Sequence, residues 1–401
     1  MPELRIEVDE DTNQKLADIM DFQQMTLGDI VKAAANEYHV PSGPVDREAF
    51  AHTIQFLPIM LEQIRQNLPY ILNDKSLSMF QSYLQAVKKR DISLVISGGP
   101  SLDKKQLRTI RTSDFQKRGG TIIVVDSVLA KVVDAGIVPD AVVTIDRQLE
   151  TAEFFKHGVI DRFKSPIHAI MPIDIHPETR DAIRGERWWF KPAFLNYPTT
   201  NLNTYLRFLM PQLPTILGGG NVGSACINIS LMLGMKTIGF CGMNYSWPGK
   251  KKIEDTDNFM SDVIQHGGRI ITNRRGKFVR IDWPCGLENC PDEEKFDGEC
   301  AARRAVDKDF KLCQEEFEGQ FNIVKDPFGA ECLITNTYSI YRDILIDHLK
   351  HFKMEDPELR FVNCTGGGLA FDDESDVIEI GRLSDFLKET GRSADGKEVE
   401  N

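Results

Sequence analysis

Short apolar runs separated by polar segments dominate the middle of the chain. The clearest are Ile92–Ile96, Thr121–Val125 and Lys236–Cys241. Shorter runs of the same kind are Ala141–Ile145, Ile167–Met171, Trp188–Phe190, Thr215–Leu217 and Phe361–Asn363. Buried strands that alternate with helices are typical of a parallel sheet covered on both faces. The pattern therefore predicts an α/β fold, with a Rossmann-like parallel sheet and flanking helices.

Helical patterns lie around these runs. The predicted helices are two within residues 50–89, a polar helix that ends at Lys117, one from Asp126 to Ala135, one from Asn221 through Leu233, and an amphipathic helix over Ile340–Phe352.

The first forty residues form a unit of their own. Leu4–Val8 alternates apolar and polar residues as a half-buried strand does, and two short helical patterns follow it. This order resembles a ribbon-helix-helix module, a fold that exists as an intertwined dimer, so we expect a dimerisation arm and a homodimer. Three basic and nine acidic residues give the arm a net charge of −6. That charge argues against DNA as a partner.

Changes in composition divide the chain into five parts. Residues 1–40 are the arm, and residues 41–90 are a helical linker region that begins with the Pro41–Pro44 linker signal. Residues 91–248 and 336–388 form the α/β domain. Residues 249–335 are an irregular insertion with five of the eight cysteines, and residues 389–401 are a polar tail that we expect to be disordered.

Length, charge and cysteine use narrow the class of protein. The chain has 401 residues and a net charge of −12, which argues against a large nucleic-acid surface. No apolar run is long enough to span a membrane, and the first residues lack the apolar core of a secretory signal. The cysteines then indicate reduced thiols. We expect a soluble cytoplasmic protein without a membrane partner.

Two glycine-rich loops stand between a predicted strand and a predicted helix. They are Gly98-Gly99-Pro100-Ser101 and Gly218-Gly219-Gly220-Asn221. Glycine lets a backbone approach an anion, and the helix that follows offers free N–H groups. Each loop is a candidate phosphate or sugar site, although a tight structural turn would have the same composition. Neither loop matches a dinucleotide fingerprint or a Walker A motif.

Three acids occur at the ends of predicted strands. Asp126 and Asp146 close buried strands, and Asp140 enters one. Acids at one edge of a sheet can hold Mg²⁺ or ribose hydroxyls, so we expect the three to lie together there. The alternative is that Asp126 and Asp140 are ordinary capping and turn acids.

Other side chains are weaker candidates. His157 and His176 follow strands and could act as a base, but a histidine in a loop is more often a surface residue. Trp188-Trp189-Phe190 and Trp247 could stack on a ring, but aromatic residues beside a strand are more often core. Cys285, Cys290, Cys300 and Cys313 have the number of ligands of a zinc site without its Cys-x2-Cys spacing, so we expect free thiols and no zinc.

Several motifs occur in the order of a known family. They are Ser97–Leu102, Val125-Asp126-Ser127, Gly136–Asp140, Thr144-Ile145-Asp146, Gly219–Gly223, Ile238–Gly242 and Asn363–Gly368. Together they resemble the archaeal 6-hydroxymethylpterin diphosphokinases (the MptE-like domain) and the related Maf motility-accessory-factor glycosyltransferases. The resemblance covers residues 90–245 and 336–388 and implies a nucleotide-binding transferase domain.

The resemblance also implies a set of site residues. The expected catalytic residues are Asp126, Asp146 and Arg147. The expected residues that bind the nucleotide are Gly98, Gly99, Pro100, Ser101, Ser127, Asp140, Gln148, Gly219, Gly220, Asn221, Asn244 and Gly367. The loop Gly366–Gly368 matches a segment with which the family closes the site, and Asn244-Tyr245 replaces the family's Asp-Leu.

The two branches of this family imply different reactions. The diphosphokinase branch uses ATP with Mg²⁺ bound by an Asp-x-Asp cluster, whereas this chain has Asp146-Arg147-Gln148. Asp-x-Gln is closer to the Maf pattern, so we favour a glycosyltransferase that uses a nucleotide-activated, sialic-acid-like sugar and a protein acceptor. The diphosphokinase is the alternative, with Mg²⁺ as its cofactor. A second alternative is a non-catalytic nucleotide-binding protein tethered through its N-terminal arm.

Overall fold

A ten-stranded parallel sheet forms the centre of the molecule. The structure is a computed structural model. It describes residues 44–88, 90–161, 167–193, 206–207, 209–248, 269–274, 277–282, 321–372 and 375–389. The predicted arm of residues 1–40, the zinc-ligand candidates Cys285, Cys290, Cys300 and Cys313, and residues 390–401 lie outside these ranges.

The strands of this sheet are short and mostly buried. They are β1 (Lys75–Ser76), β2 (Ile92–Ile96), β3 (Thr121–Val125), β4 (Ala141–Val143), β5 (His168–Pro172), β6 (Glu186–Ala193), β7 (Thr215–Leu217), β8 (Thr237–Cys241), β14 (Arg360–Asn363) and β15 (Ile378–Ile380). Every residue of β2 and β3 is buried, as expected of central strands covered on both faces. These strands confirm the predicted α/β fold.

The order of the strands reverses in the middle of the sheet. The path is β1-β6-β5-β4-β3-β2-β8-β14-β15, and β7 pairs with β6. The chain builds the sheet outward from β2 to β6 and then returns to place β8 on the other side of β2. The carboxyl ends of β2 and β8 therefore flank the topological switch point, where open α/β sheets bind their ligands.

Helices connect the strands. They are α1 (Pro44–Ile71), α2 (Leu77–Val87), α3 (Lys104–Thr112), α4 (Leu129–Asp134), α5 (Gly158–Asp161), α6 (Pro177–Ala182), α7 (Val222–Met232), α8 (Asn336–Glu355) and α9 (Leu383–Phe386). Short 3-10 helices cover Asp126–Val128 and Leu149–Phe154.

Two predicted boundaries are wrong. The helix expected to reach Lys117 ends at Thr112, because Ser113 adopts an extended backbone and ends the hydrogen-bond ladder. The strand expected over Ala141–Ile145 ends at Val143.

The region predicted as a helical linker packs against the sheet. Met60 and Ile64 of α1 and Phe80 and Leu84 of α2 are buried in the same core as the strands. Between the two helices, β1 pairs with Trp188 and Trp189 of β6. This segment therefore supports one edge of the sheet.

Strand pairs follow the sheet in the region predicted as an insertion. β10 (Arg269–Arg274) pairs with β11 (Lys277–Asp282), and β12 (Phe321–Lys325) pairs with β13 (Glu331–Thr335), in antiparallel fashion. β13 also pairs with β9 (Trp247–Pro248) directly after the β8 loop.

No helix in the described part of the chain is long and apolar enough to cross a membrane.

Candidate functional site

The loop after β2 packs closely against the loop after β8. The Gly99 N–H donates to the carbonyl oxygen of Gly242 at 2.5 Å. A Cβ atom on Gly99 would lie 2.3 Å from that oxygen and 2.5 Å from Asn244 Oδ1. Glycine is therefore required at position 99, and the two loops meet at the switch point.

Asn244 holds the two loops together. Its side chain is buried, and its Oδ1 accepts hydrogen bonds from the backbone N–H of Ser101 at 3.1 Å and from the Ser101 hydroxyl at 2.8 Å. Its Nδ2 has no hydrogen-bond partner among the residues that the structure describes. A buried donor without a partner costs free energy, so Asn244 has a donor available for a ligand.

The glycine-rich loop before α7 forms the next wall. Gly219 and Gly220 have φ values of 64° and 81°, which favour glycine. Asn221 caps α7: its Oδ1 accepts from the Ser224 N–H at 3.0 Å, and its Nδ2 donates to the Ser224 hydroxyl at 2.9 Å. Its side chain is thus engaged within the protein, and the backbone of this turn is what a ligand can reach.

Tyr245 connects this turn to the β8 loop. Its backbone has a φ of 50°, an uncommon conformation for a side chain of this size. Its hydroxyl lies 2.8 Å from the Ser224 hydroxyl and 3.3 Å from Asn221 Nδ2. Burial raises the pKa of Tyr245 to about 12, so the phenol stays protonated at neutral pH.

A cavity of about 200 Å³ lies between these loops. None of the described side chains that line it carries a charge. They belong to Ser97, Gly98, Gly99, Pro100, Val125, Ser127, Asn221, Val222, Gly223, Gly242, Met243, Asn244, Tyr245, Ser246, Tyr338 and Tyr341. Its polar groups are hydroxyls, amides and backbone groups, so a ligand would be held by hydrogen bonds.

Asp126 directly follows β3, between Val125 and Ser127, and is not itself among the described residues that line this cavity. Its side chain is 3% exposed, and its Oδ1 accepts from the Ser127 N–H at 2.7 Å. Burial raises the pKa of Asp126 from its ordinary 3.8 to about 6, and the charge of Asp146 also raises it. The neighbouring Thr144 side chain and the Ser127 N–H lower the pKa in part. This carboxyl can therefore exchange a proton near neutral pH.

The loop after β4 carries Asp146, Arg147 and Gln148. Asp146 is exposed, and its Oδ1 accepts from the Gln148 N–H at 3.1 Å. The Arg147 guanidinium donates from Nε to Asp174, a fully buried acid directly after β5. The Arg147 carbonyl accepts from Gln63 Nε2 of α1 at 3.0 Å. Asp146 and Arg147 thus lie at the same edge as Asp126, whereas the Gln148 side chain faces solvent.

The prediction for Asp140 is wrong. Asp140 lies at the amino end of β4, so it faces the opposite edge of the sheet from Asp126 and Asp146. Its carboxylate accepts from the Ile122 N–H at 2.8 Å and pairs with Lys88 at 3.0 Å. The two ends of a strand lie at opposite edges of the sheet. Asp140 therefore has a structural role and does not belong to the site.

Gly366–Gly368 forms a separate loop after β14. All three residues have positive φ values, and Gly368 packs against the Asn244 backbone. A Cβ on Gly367 would lie 3.3 Å from the Asp326 carboxylate, whose other oxygen holds the turn between β12 and β13. A nearby carboxylate opposes a bound anion, and Gly367 is not among the described residues that line the cavity; Gly368 is the glycine that packs on Asn244.

A second cavity, of about 410 Å³, shares Gly98 and Ser127 with the first. His157 lines it, and its Nδ1 accepts from the Val159 N–H at 3.2 Å. In its neutral form this imidazole carries its proton on Nε2, so it can donate to a ligand there but cannot accept a proton at that atom.

The remaining candidates have structural roles. His176 caps α6 with Nδ1, which accepts from the Glu178 N–H at 3.2 Å. Trp188, Trp189 and Phe190 are buried in the core, which was the alternative to stacking on a ligand.

Asp126 and Asp146 are candidate ligands for a magnesium ion at this edge of the sheet, where their carboxyl groups interact electrostatically. No three or more His, Cys, Asp or Glu side chains gather as a metal site within the described ranges. Mg²⁺, however, is usually held by one or two carboxylates together with substrate phosphates. Burial is the main cause of the raised pKa of Asp126, and the charge of Asp146 adds to it; a bound cation would relieve that second contribution.

Sequence reasoning missed the residues that reach the site from distant parts of the chain. Asp174 and Gln63 hold Arg147, and Tyr338 and Tyr341 line the cavity. An acid directly after the β5 strand was a usable signal for Asp174. No local pattern marked the other three.

An open parallel sheet with glycine-rich loops at its switch point defines a Rossmann-like α/β domain. The family model described as 6-hydroxymethylpterin diphosphokinase MptE-like matches residues 62–250 of this domain. The match confirms the predicted resemblance over that segment and supports a transferase-type function. No curated protein matches the chain.

A solved structure described as the MAf glycosyltransferase from Magnetospirillum magneticum AMB-1 is similar in fold. The TM-score is 0.47 at 11% sequence identity, and the match covers 85% of this chain and 42% of that one. This chain thus spans less than half of that protein. Similarity at this level does not bear on function.

Proposed function

We propose that the chain is a nucleotide-dependent transferase that binds the phosphate of its nucleotide in the switch-point cavity. The position of the cavity supports this proposal. It lies between the carboxyl ends of β2 and β8, where the strand order reverses. The amino end of α7 and the buried Asn244 amide supply hydrogen-bond donors suited to an anion.

The favoured reaction is transfer of a sugar from a nucleotide-activated donor. The loop after β4 offers one carboxylate, Asp146, because Arg147 and Gln148 follow it. In this reaction the bond between the sugar carbon and the phosphate oxygen breaks, and an acceptor hydroxyl bonds to that carbon. The N–H groups of Gly99 and Ser101 already donate within the protein, so backbone N–H groups of the turn at Gly219–Asn221 would stabilise the leaving phosphate. Asp126, with a pKa of about 6, would take the acceptor's proton.

The second cavity is where we place the acceptor. It meets the first cavity at Gly98 and at Ser127, the residue that follows Asp126. A protein acceptor and a homodimer formed through the N-terminal arm remain predictions from the sequence.

Diphosphoryl transfer is the second candidate. It is favoured by the electrostatic interaction of Asp126 with Asp146 and by the description of the matching family. These two carboxylates would hold Mg²⁺, which neutralises charge on the phosphate oxygens during transfer.

A thermal-shift titration with CMP, CDP, UDP, GDP and ATP, each with and without Mg²⁺, separates the two candidates. A ligand at one hundred times its dissociation constant stabilises the folded state by about 2.7 kcal/mol. Sugar transfer predicts metal-independent stabilisation by CMP or another nucleotide product. Stabilisation by ATP alone, and only with Mg²⁺, would favour the diphosphokinase, and no shift with any nucleotide would contradict both.

A further inference from the structure

Two tyrosines of α8 line the switch-point cavity from outside the segment that matches the family. Tyr338 and Tyr341 both contribute to the cavity wall. They are three residues apart, so their side chains lie on the same face of the helix. They belong to residues 336–355, whereas the family match ends at residue 250.

Both side chains are held in place by the surrounding structure. A Cβ on Gly220 would lie 2.5 Å from Tyr341 Cδ1, so the ring packs directly on the backbone of the glycine-rich turn. The Tyr338 N–H donates to the Thr335 hydroxyl at 3.1 Å, which fixes the first turn of α8. Both rings are half-buried and pack partly against the core. Little rotamer freedom would therefore be lost when a ligand binds.

The composition of the cavity wall is uneven. The glycine loop and Asn244 supply amide groups, whereas Tyr338 and Tyr341 supply aromatic surface beside Gly220 and Asn221. Among the residues that the structure describes, no charged side chain lines the cavity. Such a wall suits a ligand with an anionic group for the amides and a flat ring for the aromatic surface.

We propose that Tyr338 and Tyr341 form the subsite for the nucleobase, which stacks against them while the phosphate lies at the glycine loops. This assignment rests on the proposed function. It adds that the α8 tyrosines contact the base of the nucleotide. Stacking on aromatic side chains is sequence-tolerant, so the subsite by itself accepts more than one base.

The test measures binding of CMP, AMP and ribose 5-phosphate by isothermal titration calorimetry. Ribose 5-phosphate keeps the sugar and the phosphate but lacks the base. Replacing a stacking aromatic residue by alanine weakens base binding by roughly tenfold or more. We expect Tyr338→Ala and Tyr341→Ala to weaken CMP and AMP by that factor and to leave ribose 5-phosphate unchanged. Tyr338→Phe and Tyr341→Phe keep the ring and should bind all three ligands as the wild type does.

Tyr83→Ala is the matched control, because Tyr83 is a partly exposed tyrosine on α2 that stacks on Phe80. It should bind all three ligands like the wild type. Unchanged CMP and AMP binding in both alanine variants would overturn the subsite alone, as would an equal loss for ribose 5-phosphate. A wild-type protein that binds none of the three ligands would overturn the proposed function together with the subsite.

Discussion

Asp126 combines burial with an ionisable group at the edge of the sheet. Its carboxyl is surrounded by the ends of β3 and β4, and burial is the main cause of its raised pKa of about 6. Strongly perturbed pKa values are more frequent at functional sites than elsewhere, although structural networks perturb them too. For Asp126 the shift has a measurable consequence for stability.

We predict that Asp126→Asn makes the folded state more stable at neutral pH. Because the folded protein binds the Asp126 proton more tightly than the unfolded chain does, stability is lost as the pH rises from about 4 to about 6. The full shift corresponds to about 3 kcal/mol. Asparagine keeps the size of the side chain and the acceptor for the Ser127 N–H, but it has no charge to bury.

Urea unfolding between pH 4 and pH 8 checks this prediction. The gain of Asp126→Asn over the wild type should grow up to about pH 6 and then stay constant. Asp140→Asn is the control, because Asp140 pairs with Lys88 at the other edge, and that variant should show no gain. A pH-independent difference for Asp126→Asn would contradict the raised pKa.

Arg147 and Asp174 form a pair in which one partner is fully buried. The Arg147 side chain is 33% exposed, whereas Asp174 has no exposed surface. Removing one partner of such a pair leaves an uncompensated buried charge. We predict that Arg147→Met lowers the free energy of unfolding by at least about 2 kcal/mol.

The double variant Arg147→Met with Asp174→Asn distinguishes a charge effect from a packing effect. Asp174→Asn removes the uncompensated charge, so it should restore part of the stability that Arg147→Met loses. Urea unfolding of the four proteins gives the coupling free energy. If the two losses simply add, the pair contributes no charge coupling.

At the scale of elements, α1 holds the loops at the carboxyl ends of β4 and β5. Gln63 bonds to the Arg147 carbonyl, and Asn67, one turn later, donates to the carbonyls of Ile173 and Ile175 at 3.0 and 2.8 Å. Asn67 Oδ1 also accepts from Arg180 at 2.9 Å. One face of α1 therefore positions the loop residues around Asp174.

We predict that Asn67→Leu costs at least about 2 kcal/mol of stability, because it leaves buried carbonyl groups without donors. Gln66→Leu is the matched control on the same helix. The Gln66 amide donates only to the exposed Glu62 at 2.6 Å, so its loss should stay within about 0.5 kcal/mol. Urea unfolding compares the two, and equal losses would contradict the role given to Asn67.

Local patterns predicted the strands well and the site only in part. The apolar runs of β2, β3 and β8 are continuous, because both faces of these strands are buried, and such runs are visible in the sequence. β1 has two residues and depends on its pairing with Trp188 and Trp189, so no local pattern marks it.

Local patterns likewise mark some residues of the site and miss those that depend on distant parts of the chain. Asp126 follows an apolar run and was predicted. Gln63 is 84 positions from the carbonyl that it binds, and Asn67 is more than 100 positions from its partners. Asp140 was misplaced although it was correctly placed before its strand, because an acid that enters a parallel strand lies at the opposite edge of the sheet from acids that follow one.

At the scale of the whole molecule, the site depends on the reversal of strand order. The loops after β2 and β8 can meet only because the chain returns to place β8 beside β2. Gly99 and Asn244 then seal the contact between them, and α7 and α8 complete the cavity. We infer that a nucleotide binds in this cavity.

Isothermal titration calorimetry tests this inference. The ligands are CMP and ATP with Mg²⁺, and the proteins are the wild type, Gly99→Ala and Gly158→Ala. A methyl group at position 99 would meet the Gly242 carbonyl, whereas one at position 158 meets nothing within 4 Å. We predict that the wild type and Gly158→Ala bind a nucleotide with the same affinity and that Gly99→Ala, still folded by circular dichroism, weakens it at least tenfold. Equal affinity in all three proteins would contradict the placement of the nucleotide at the switch point.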